Sequence, residues 1–164
     1  MYSNQVRELA MQVVDALLKR GYTIATAESC TGGSVAAAIT AIAGCSSVYK
    51  GSVVAYCNEV KAALLGVDCT TLVAHGAVSE ATVREMCIGV KNLVKSHCAI
   101  ATSGIAGPGG GSLEKPVGTV WTAIAVGDRV ETRLLQLVDC GRACNIEATV
   151  KEVLVHLQRM LDEE

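Results

Sequence analysis

The sequence predicts an α/β fold: a three-layer α/β/α sandwich around a mixed, mostly parallel sheet that ends in a C-terminal hairpin. Short β-prone runs alternate with stretches of helical periodicity along the chain, which is typical of a sheet covered by helices on both faces. A Gly127-Asp128 turn separates the last two β-prone runs and indicates the hairpin. With 164 residues, 51% of them hydrophobic, residues 1–164 suit one domain.

The first third of the chain predicts the order helix, strand, helix, strand. Apolar residues recur at helical spacing from Asn4 to Arg20, where Ser3 or Asn4 can cap the start and Gly21 can end the helix. Composition then predicts a strand, an alanine-rich helix and a second strand, over 22–27, 34–43 and 51–56 in turn.

The remainder predicts two further helices, a third strand, a glycine-rich loop, the hairpin and a last helix. The first helix is capped by Asn58 and closed by Gly66, and Ser79 caps the second, longer one. The later elements are predicted over these ranges: a strand at 98–103, hairpin strands at 117–126 and 130–138, and a helix from about 145 to 161.

Charge and hydropathy exclude two classes of partner. The formal net charge is −2 and the basic residues are scattered, so we expect no binding of polymeric nucleic acid. No apolar run approaches the roughly 20 residues that span a bilayer, so we expect no membrane partner. Residues 1–22 carry charges at helical spacing instead of a signal-peptide core, which favours a cytoplasmic protein.

The eight cysteines do not form a recognisable metal-binding pattern. No CxxC or CxH pair occurs, and Cys140 and Cys144 could share a helical face but lack a nearby histidine. The sequence therefore predicts no metal site, and we expect all eight cysteines to be reduced thiols in a reducing compartment.

The stretch "TAESCTGG", from Thr26 to Gly33, takes a strand into a helix through two glycines. Backbone N–H groups from Thr31 to Ser34 should point outward from the positive end of that helix, where an anion can bind. The anion could be a phosphate or the oxyanion formed when a nucleophile attacks a carbonyl. Alternatively, Ser29 and Thr31 are only helix caps.

The stretch "YCNEVK", residues 56–61, places a lysine in the first turns of a helix. A lysine buried beside a serine, with a lowered pKa, can remove the hydroxyl proton, and Tyr56 can relay or donate one. The three histidines do not suggest a Ser/His/Asp set. A Ser-Lys arrangement with Lys61 is the economical interpretation, although a lone lysine is usually a solvated side chain.

The stretch "TSGIAGPGGGSLEKPVGT", residues 102–119, is too rich in glycine for an ordinary connector in a compact domain. It has neither the GxxxxGK[ST] nor the GxGxxG spacing of the phosphate-binding motifs. A flexible surface loop is one interpretation, but Pro108 and Pro116 stiffen it. We expect a substrate-binding wall, with Ser103 and nearby backbone amides as hydrogen-bonding groups.

Four stretches of the chain together resemble the CinA C-terminal family. They are "TAESCTGG", "YCNEVKAALLGV", "HGAVSEATVREM" and "SGIAGPGGGSLEKPVGTVW", and the likeness runs in order from about residue 5 to about 126. The resemblance implies a cytoplasmic, usually dimeric α/β amidohydrolase. The family's activity converts nicotinamide mononucleotide and water to nicotinic acid mononucleotide and ammonia, for pyridine-nucleotide recycling, without a metal or redox cofactor.

The resemblance also implies roles for individual residues. The family's serine, lysine and tyrosine match Ser29 as nucleophile, Lys61 as its base and Tyr56 as an auxiliary proton donor or orienting group. Cys30 is the chemically better nucleophile and is set aside only because the family resembles a serine hydrolase. Glu28 is expected to orient the loop or the lysine. The expected substrate-binding residues are Cys30, Thr31, Gly32, Gly33, Asn58, Ser103, Gly104, Gly107 and Arg142.

One stretch departs from the family. The family typically has a Gly-Asp-Arg stretch followed by a second arginine, thought to meet the substrate phosphate, whereas this chain has "CGRACNIEAT" at 140–149. The arginine is displaced to Arg142, and Ala143 and Glu147 stand where family arginines would be. Two interpretations stay open: a deamidase in which Arg142 compensates, and a non-catalytic nucleotide-binding paralogue or a deamidase of a related non-phosphorylated amide.

Overall fold

A computed structural model describes residues 2–164, over which helices and strands alternate. None of the helices in that range is long and apolar enough to cross a membrane. The elements are α1 (Asn4–Arg20), β1 (Ile24–Glu28), α2 (Ser34–Thr40), a 3-10 turn (Cys45–Ser47), β2 (Tyr49–Val54), α3 (Asn58–Leu65), α4 (Cys69–His75), α5 (Glu80–Val94), β3 (Cys98–Gly104), β4 (Thr119–Val126), β5 (Arg129–Gln136) and α6 (Arg142–Asp162).

The five strands form one mixed sheet in the order β2-β1-β3-β4-β5. β1 pairs in parallel with β2 and β3, whereas β3/β4 and β4/β5 are antiparallel. The predicted α/β class, the mixed sheet and the C-terminal hairpin are confirmed. The sheet is parallel in only two of its four pairings, because the hairpin adds both of its strands in antiparallel orientation beside β3.

Alternating side chains of the sheet build two different faces. On one face, isoleucines such as Ile24, Ile100 and Ile124 pack against α1, α2 and α6. On the other, alanines of β1, β3 and β4 leave room for α5, whose Met86 lies over them. Burial on both faces produces the predicted three layers.

Local signals for helix starts and ends differ in how well they predicted the structure. The caps at Ser3 and Ser79 are confirmed, since Ser3 Oγ accepts from Val6 N and Ser79 Oγ accepts from Thr82 N. The α3 cap is Cys57, not Asn58, which is the first helical residue. α6 begins at Arg142, earlier than predicted.

Helix α4 was not predicted from the sequence. It is a short helix, Cys69–His75, whose first turn carries two threonines, and β-branched residues lower helix propensity. Asp68 caps it by accepting a hydrogen bond from Thr70 N. That cap is the signal that could have revealed α4.

The prediction that all eight cysteines are free thiols is wrong for one pair. Cys140 and Cys144 form a disulfide, with a Cα–Cα distance of 5.6 Å that lies in the usual range for such bonds. The pair flanks the start of α6: Cys140 precedes the cap residue Gly141, and Cys144 lies in the first turn of the helix. Six cysteines remain free: Cys30, Cys45, Cys57, Cys69, Cys87 and Cys98.

Candidate active site

A pocket of about 280 Å³ opens at the carboxyl edge of the parallel strands. The segments that follow β1, β2 and β3 meet there, because parallel neighbouring strands end at the same edge of the sheet. The start of α6 closes one side. The predicted site residues that line this pocket are Ser29, Cys30, Tyr56, Asn58, Lys61, Ser103, Gly104, Gly107 and Arg142.

Ser29 and Lys61 lie in direct contact in this pocket. Ser29 follows β1, and its N–H donates to Thr102 O at 3.0 Å, which extends the β1/β3 ladder by one residue. Lys61 projects from the first turns of α3. Its Nζ lies 3.2 Å from Ser29 Oγ and 2.9 Å from Ala55 O. The sheet and α3 therefore fix both partners of the predicted Ser-Lys pair.

The surroundings of Lys61 favour its neutral form. The side chain is 1% exposed, and within residues 2–164 no carboxylate lies within 4 Å of Nζ. Burial lowers the pKa of the Lys61 ammonium from its ordinary value. A neutral lysine amine can accept a proton from a neighbouring hydroxyl, so the pair can generate a serine nucleophile.

Cys30 also lines the pocket, but its surroundings suppress thiolate formation. The residue is 6% exposed, and burial raises the pKa of its thiol to about 12. The thiolate is the nucleophilic form of cysteine. Of the two adjacent candidates, Ser29 is therefore the one with a base in hydrogen-bond contact and Cys30 is the one held protonated.

The expected anion site at the start of α2 is already filled by a side chain of the protein. The fully buried Glu28 carboxylate accepts hydrogen bonds from the N–H groups of Gly33, Val35 and Ala36. It also accepts one from Thr31 Oγ1 at 2.7 Å. These amides are therefore not available to a phosphate or an oxyanion.

Three predicted substrate-binding residues consequently lie outside the pocket: Thr31, Gly32 and Gly33. The physical reason is that Glu28, the residue just before Ser29, turns back and neutralises the positive end of α2. The expectation that Glu28 orients the loop agrees with these contacts, which hold the turn that carries Ser29.

Arg142 links two walls of the pocket. Its guanidinium donates to Tyr56 Oη at 2.6 Å and to Gly107 O at 3.0 Å. Because a guanidinium only donates, the Tyr56 oxygen is the acceptor and its own O–H remains free for another partner. Arg142 lies on the exposed first turn of α6, so its cation stands where the pocket opens to solvent.

The glycine-rich loop forms one wall of the pocket and is tied to the segment just before α5. Ser103 Oγ donates to Ala77 O at 2.7 Å, and Lys115 Nζ donates to Val78 O at 2.8 Å. At Gly107, with φ 83°, a Cβ would come within 2.6 Å of Val117 Cγ1, so only glycine fits this turn.

Six lining residues were not named individually from the sequence: Ala77, Val78, Ile105, Ala106, Gly109 and Gly110. The last four lie inside the loop that was predicted as a wall. Ala77 and Val78 precede α5 and carry no chemical signal, because small apolar residues in a loop are common.

Comparisons with known proteins agree with this architecture. The model of the CinA C-terminal domain matches residues 6–161. The chain belongs to the CinA C-terminal domain family. The chain is 53% identical to nicotinamide-nucleotide amidohydrolase PncC of Escherichia coli K12 over 125 residues. This aligned region covers 76% of each of the two chains. The PncC protein of Enterobacter agglomerans is 43% identical over 98% of this chain and 99% of that protein.

A solved crystal structure has the same fold. The competence/damage inducible protein CihA from Agrobacterium tumefaciens superposes with a TM-score of 0.95 at 40% identity, over 99% of this chain and 98% of that one.

In this member of the CinA family, the departure at 140–149 has a clear structural outcome. Arg142 reaches the pocket, whereas Ala143 and Glu147 lie outside its lining. Glu147 Oε1 accepts a hydrogen bond from Ser3 N at 2.8 Å, which ties α6 to the start of α1. Within residues 2–164, Arg142 and Lys61 are the two basic residues in the pocket lining.

Proposed function

We propose that this chain is an amidase that hydrolyses the carboxamide of nicotinamide mononucleotide to nicotinic acid mononucleotide and ammonia. The observation that carries the proposal is the 3.2 Å contact between Ser29 Oγ and the buried Lys61 Nζ. The names of its relatives, nicotinamide-nucleotide amidohydrolase PncC, support the substrate.

The chemistry runs through an acyl-enzyme on Ser29. Neutral Lys61 takes the hydroxyl proton as Oγ attacks the carboxamide carbon, which gives a tetrahedral oxyanion. The protonated lysine returns that proton to the leaving nitrogen, the C–N bond breaks and ammonia departs. Water then attacks the ester, Lys61 accepts its proton, and the carboxylic acid leaves as Ser29 regains its hydrogen.

The oxyanion is stabilised by groups next to the nucleophile rather than by the amides bound to Glu28. The N–H group of Cys30, a residue of the pocket lining, follows Ser29 directly and has no backbone acceptor among residues 2–164. Donors placed beside a nucleophile are the usual means of holding a tetrahedral oxyanion. Tyr56, whose hydroxyl hydrogen is free, serves as the auxiliary proton donor.

The rest of the pocket binds the nucleotide. Asn58 offers a side-chain amide, and Ser103 Oγ keeps lone pairs to accept because its hydrogen is donated to Ala77 O. The cation of Arg142 at the mouth pairs with the 5′-phosphate, the part of the substrate that remains near solvent. As the family resemblance implies, we expect a homodimer that works in the cytoplasm.

Ammonia release tests the proposal with three substrates: nicotinamide mononucleotide, nicotinamide riboside and a simple amide. The mononucleotide should be turned over best. Arg142→Ala should raise KM and lower kcat/KM for the mononucleotide by about 10- to 150-fold, because a charge-assisted contact contributes roughly 1.5–3 kcal/mol. The riboside lacks the phosphate and should be hardly affected. Equal losses for both substrates would contradict a phosphate contact.

A second candidate, a deamidase of an amide without phosphate, is favoured by one observation. Both contacts of the Arg142 guanidinium are already made within the protein, to Gly107 O and Tyr56 Oη. If those contacts persist when substrate is bound, Arg142 stabilises the pocket wall and does not bind a phosphate. In that case the unmutated chain would turn over the riboside at least as well as the mononucleotide.

A further inference from the structure

The Cys140–Cys144 disulfide encloses the pocket arginine in a small ring. The two cysteines lie four residues apart, and Arg142 is the middle residue of the five that the bond closes. Cys140 precedes α6, and Cys144 lies in the first turn of α6. The cross-link therefore fixes the backbone from which the Arg142 side chain reaches Tyr56 and Gly107.

Besides the disulfide, hydrogen bonds to Asn145 hold this turn: Cys140 N donates to Asn145 Oδ1 at 3.3 Å, and Asn145 Nδ2 donates to Asp139 Oδ1 at 2.9 Å. Residues 138–144 are exposed, and Gly141 at the start of α6 provides no side-chain cap. The flanks are anchored, because Asp139 Oδ1 accepts from Gly141 N and Asn145 Nδ2 donates to Ala106 O. Between those anchors the disulfide is the covalent constraint on the segment.

We propose that Cys140 and Cys144 form a redox modification site whose reduction by a dithiol loosens Arg142 and weakens binding of the substrate phosphate. The effect on phosphate binding rests on the proposed function. The reagent that reduces this disulfide is a dithiol. A low-molecular-weight disulfide re-oxidises the two cysteines.

The redox step balances by thiol–disulfide exchange. A thiolate of the reductant attacks one sulfur, the S–S bond breaks and a mixed disulfide forms. The second thiol of the reductant then displaces the protein sulfur. Two electrons and two protons pass to Cys140 and Cys144, and the dithiol is oxidised to its own disulfide.

The exposure of the pair makes it accessible, and the six other cysteines are free thiols, so a dithiol has no other disulfide to reduce within residues 2–164. Cys30, Cys87 and Cys98 are buried. Cys69 is exposed and unpaired in α4, away from the pocket lining, so it provides a matched control.

Calorimetric binding tests the inference in a Ser29→Ala background, where the ligand is not consumed. Nicotinamide mononucleotide and nicotinamide riboside are titrated into the oxidised protein and into protein treated with dithiothreitol. Intact mass must show a gain of two hydrogens on reduction. We expect the Kd for the mononucleotide to rise about 2- to 12-fold, the range that corresponds to ordering one long side chain, with the riboside unchanged.

Two controls separate the effect from general damage. Re-oxidation of the reduced sample should restore the original Kd. The Cys140→Ser/Cys144→Ser double variant should bind like reduced protein under both conditions, whereas Cys69→Ser should respond to dithiothreitol like its parent.

The outcomes distinguish this inference from the proposed function. Redox-dependent mononucleotide binding in a protein that releases no ammonia would support the redox site while contradicting the hydrolase. Ammonia release by the wild type, together with the same Kd in both redox states, would overturn the redox site while supporting the hydrolase. A sample that gains no hydrogens with dithiothreitol would also overturn it.

Discussion

Replacing Lys61 with methionine removes the proposed base while keeping a long apolar side chain in its buried position. The side chain is 1% exposed, so methionine occupies the same space with little repacking. Ser29 loses the partner 3.2 Å from its Oγ, and Ala55 O loses its donor at 2.9 Å. The variant therefore tests the Ser-Lys pair without opening a large cavity.

The expected loss of activity is large and the expected change in stability is small. General-base catalysis contributes about 100- to 10,000-fold, so kcat/KM for nicotinamide mononucleotide should fall by that factor. The lost hydrogen bond to Ala55 O destabilises by about 1 kcal/mol. Replacing a buried polar amine by an apolar thioether offsets this, so the free energy of unfolding should stay within about 1 kcal/mol of wild type.

A coupled assay for ammonia measures kcat/KM. Urea denaturation measures the free energy of unfolding on the same preparations. Lys61→Arg is the matched control, because a guanidinium keeps the charge but does not deprotonate in proteins and should be equally inactive. In the wild type, kcat/KM should rise with pH up to the Lys61 pKa, which burial holds below 10.5. A Lys61→Met variant that keeps more than a tenth of the wild-type activity would show that Lys61 is not the general base.

Three further predictions concern other buried or paired groups. Cys30 should stay unmodified when folded protein is treated with iodoacetamide at pH 8, since burial raises the pKa of its thiol to about 12; its alkylation, read from peptide masses, would contradict this. Glu28→Gln should lower the free energy of unfolding by about 1.5–3 kcal/mol in urea, because the amide cannot accept the same set of donors. Hydrogen bonds from His156 and then Arg129 and Arg159 lower the pKa of Glu131 to about 2, so its stabilisation is present above about pH 4.5 and is lost toward pH 2. Glu131→Gln should flatten that part of the stability profile, and an unchanged acid slope would show that other carboxylates dominate.

Periodicity and composition predicted the architecture where a segment is long or its end residues are distinctive. α1 begins and ends at the predicted residues, and α5 follows the predicted Ser79 cap. The hairpin follows from the turn at Gly127-Asp128. Local sequence patterns do not determine the order and direction of the strands in the sheet. The antiparallel placement of β4 beside β3 is decided by tertiary packing, so the parallel share of the sheet was overestimated.

The sequence predicted most residues of the candidate site, but it did not predict the contacts between them. No spacing rule brings Ser29 to Lys61, 32 residues away, and the family resemblance provided that pairing. The role of Glu28 was harder, since a carboxylate beside a nucleophile suggests chemistry. Its position just before a helix start could have indicated that it binds the helix N–H groups instead.

The cysteine prediction failed for a different reason. It relied on the absence of metal-binding spacings and on the expected compartment, and neither consideration bears on two cysteines four residues apart at a helix start. The Cα–Cα distance of 5.6 Å between Cys140 and Cys144 depends on how the chain enters α6, because Cys140 lies outside the helix, before the cap residue Gly141.

Whether Ser29 is the nucleophile is tested by comparing ammonia release from nicotinamide mononucleotide by wild type, Ser29→Ala and Cys30→Ala. We predict one ammonia for each nicotinic acid mononucleotide formed by wild type, at least about a 1,000-fold loss in Ser29→Ala and less than about a 10-fold loss in Cys30→Ala. A Ser29→Ala variant that turns over at the wild-type rate, or an inactive but folded Cys30→Ala variant, would contradict the assignment of Ser29 as the nucleophile.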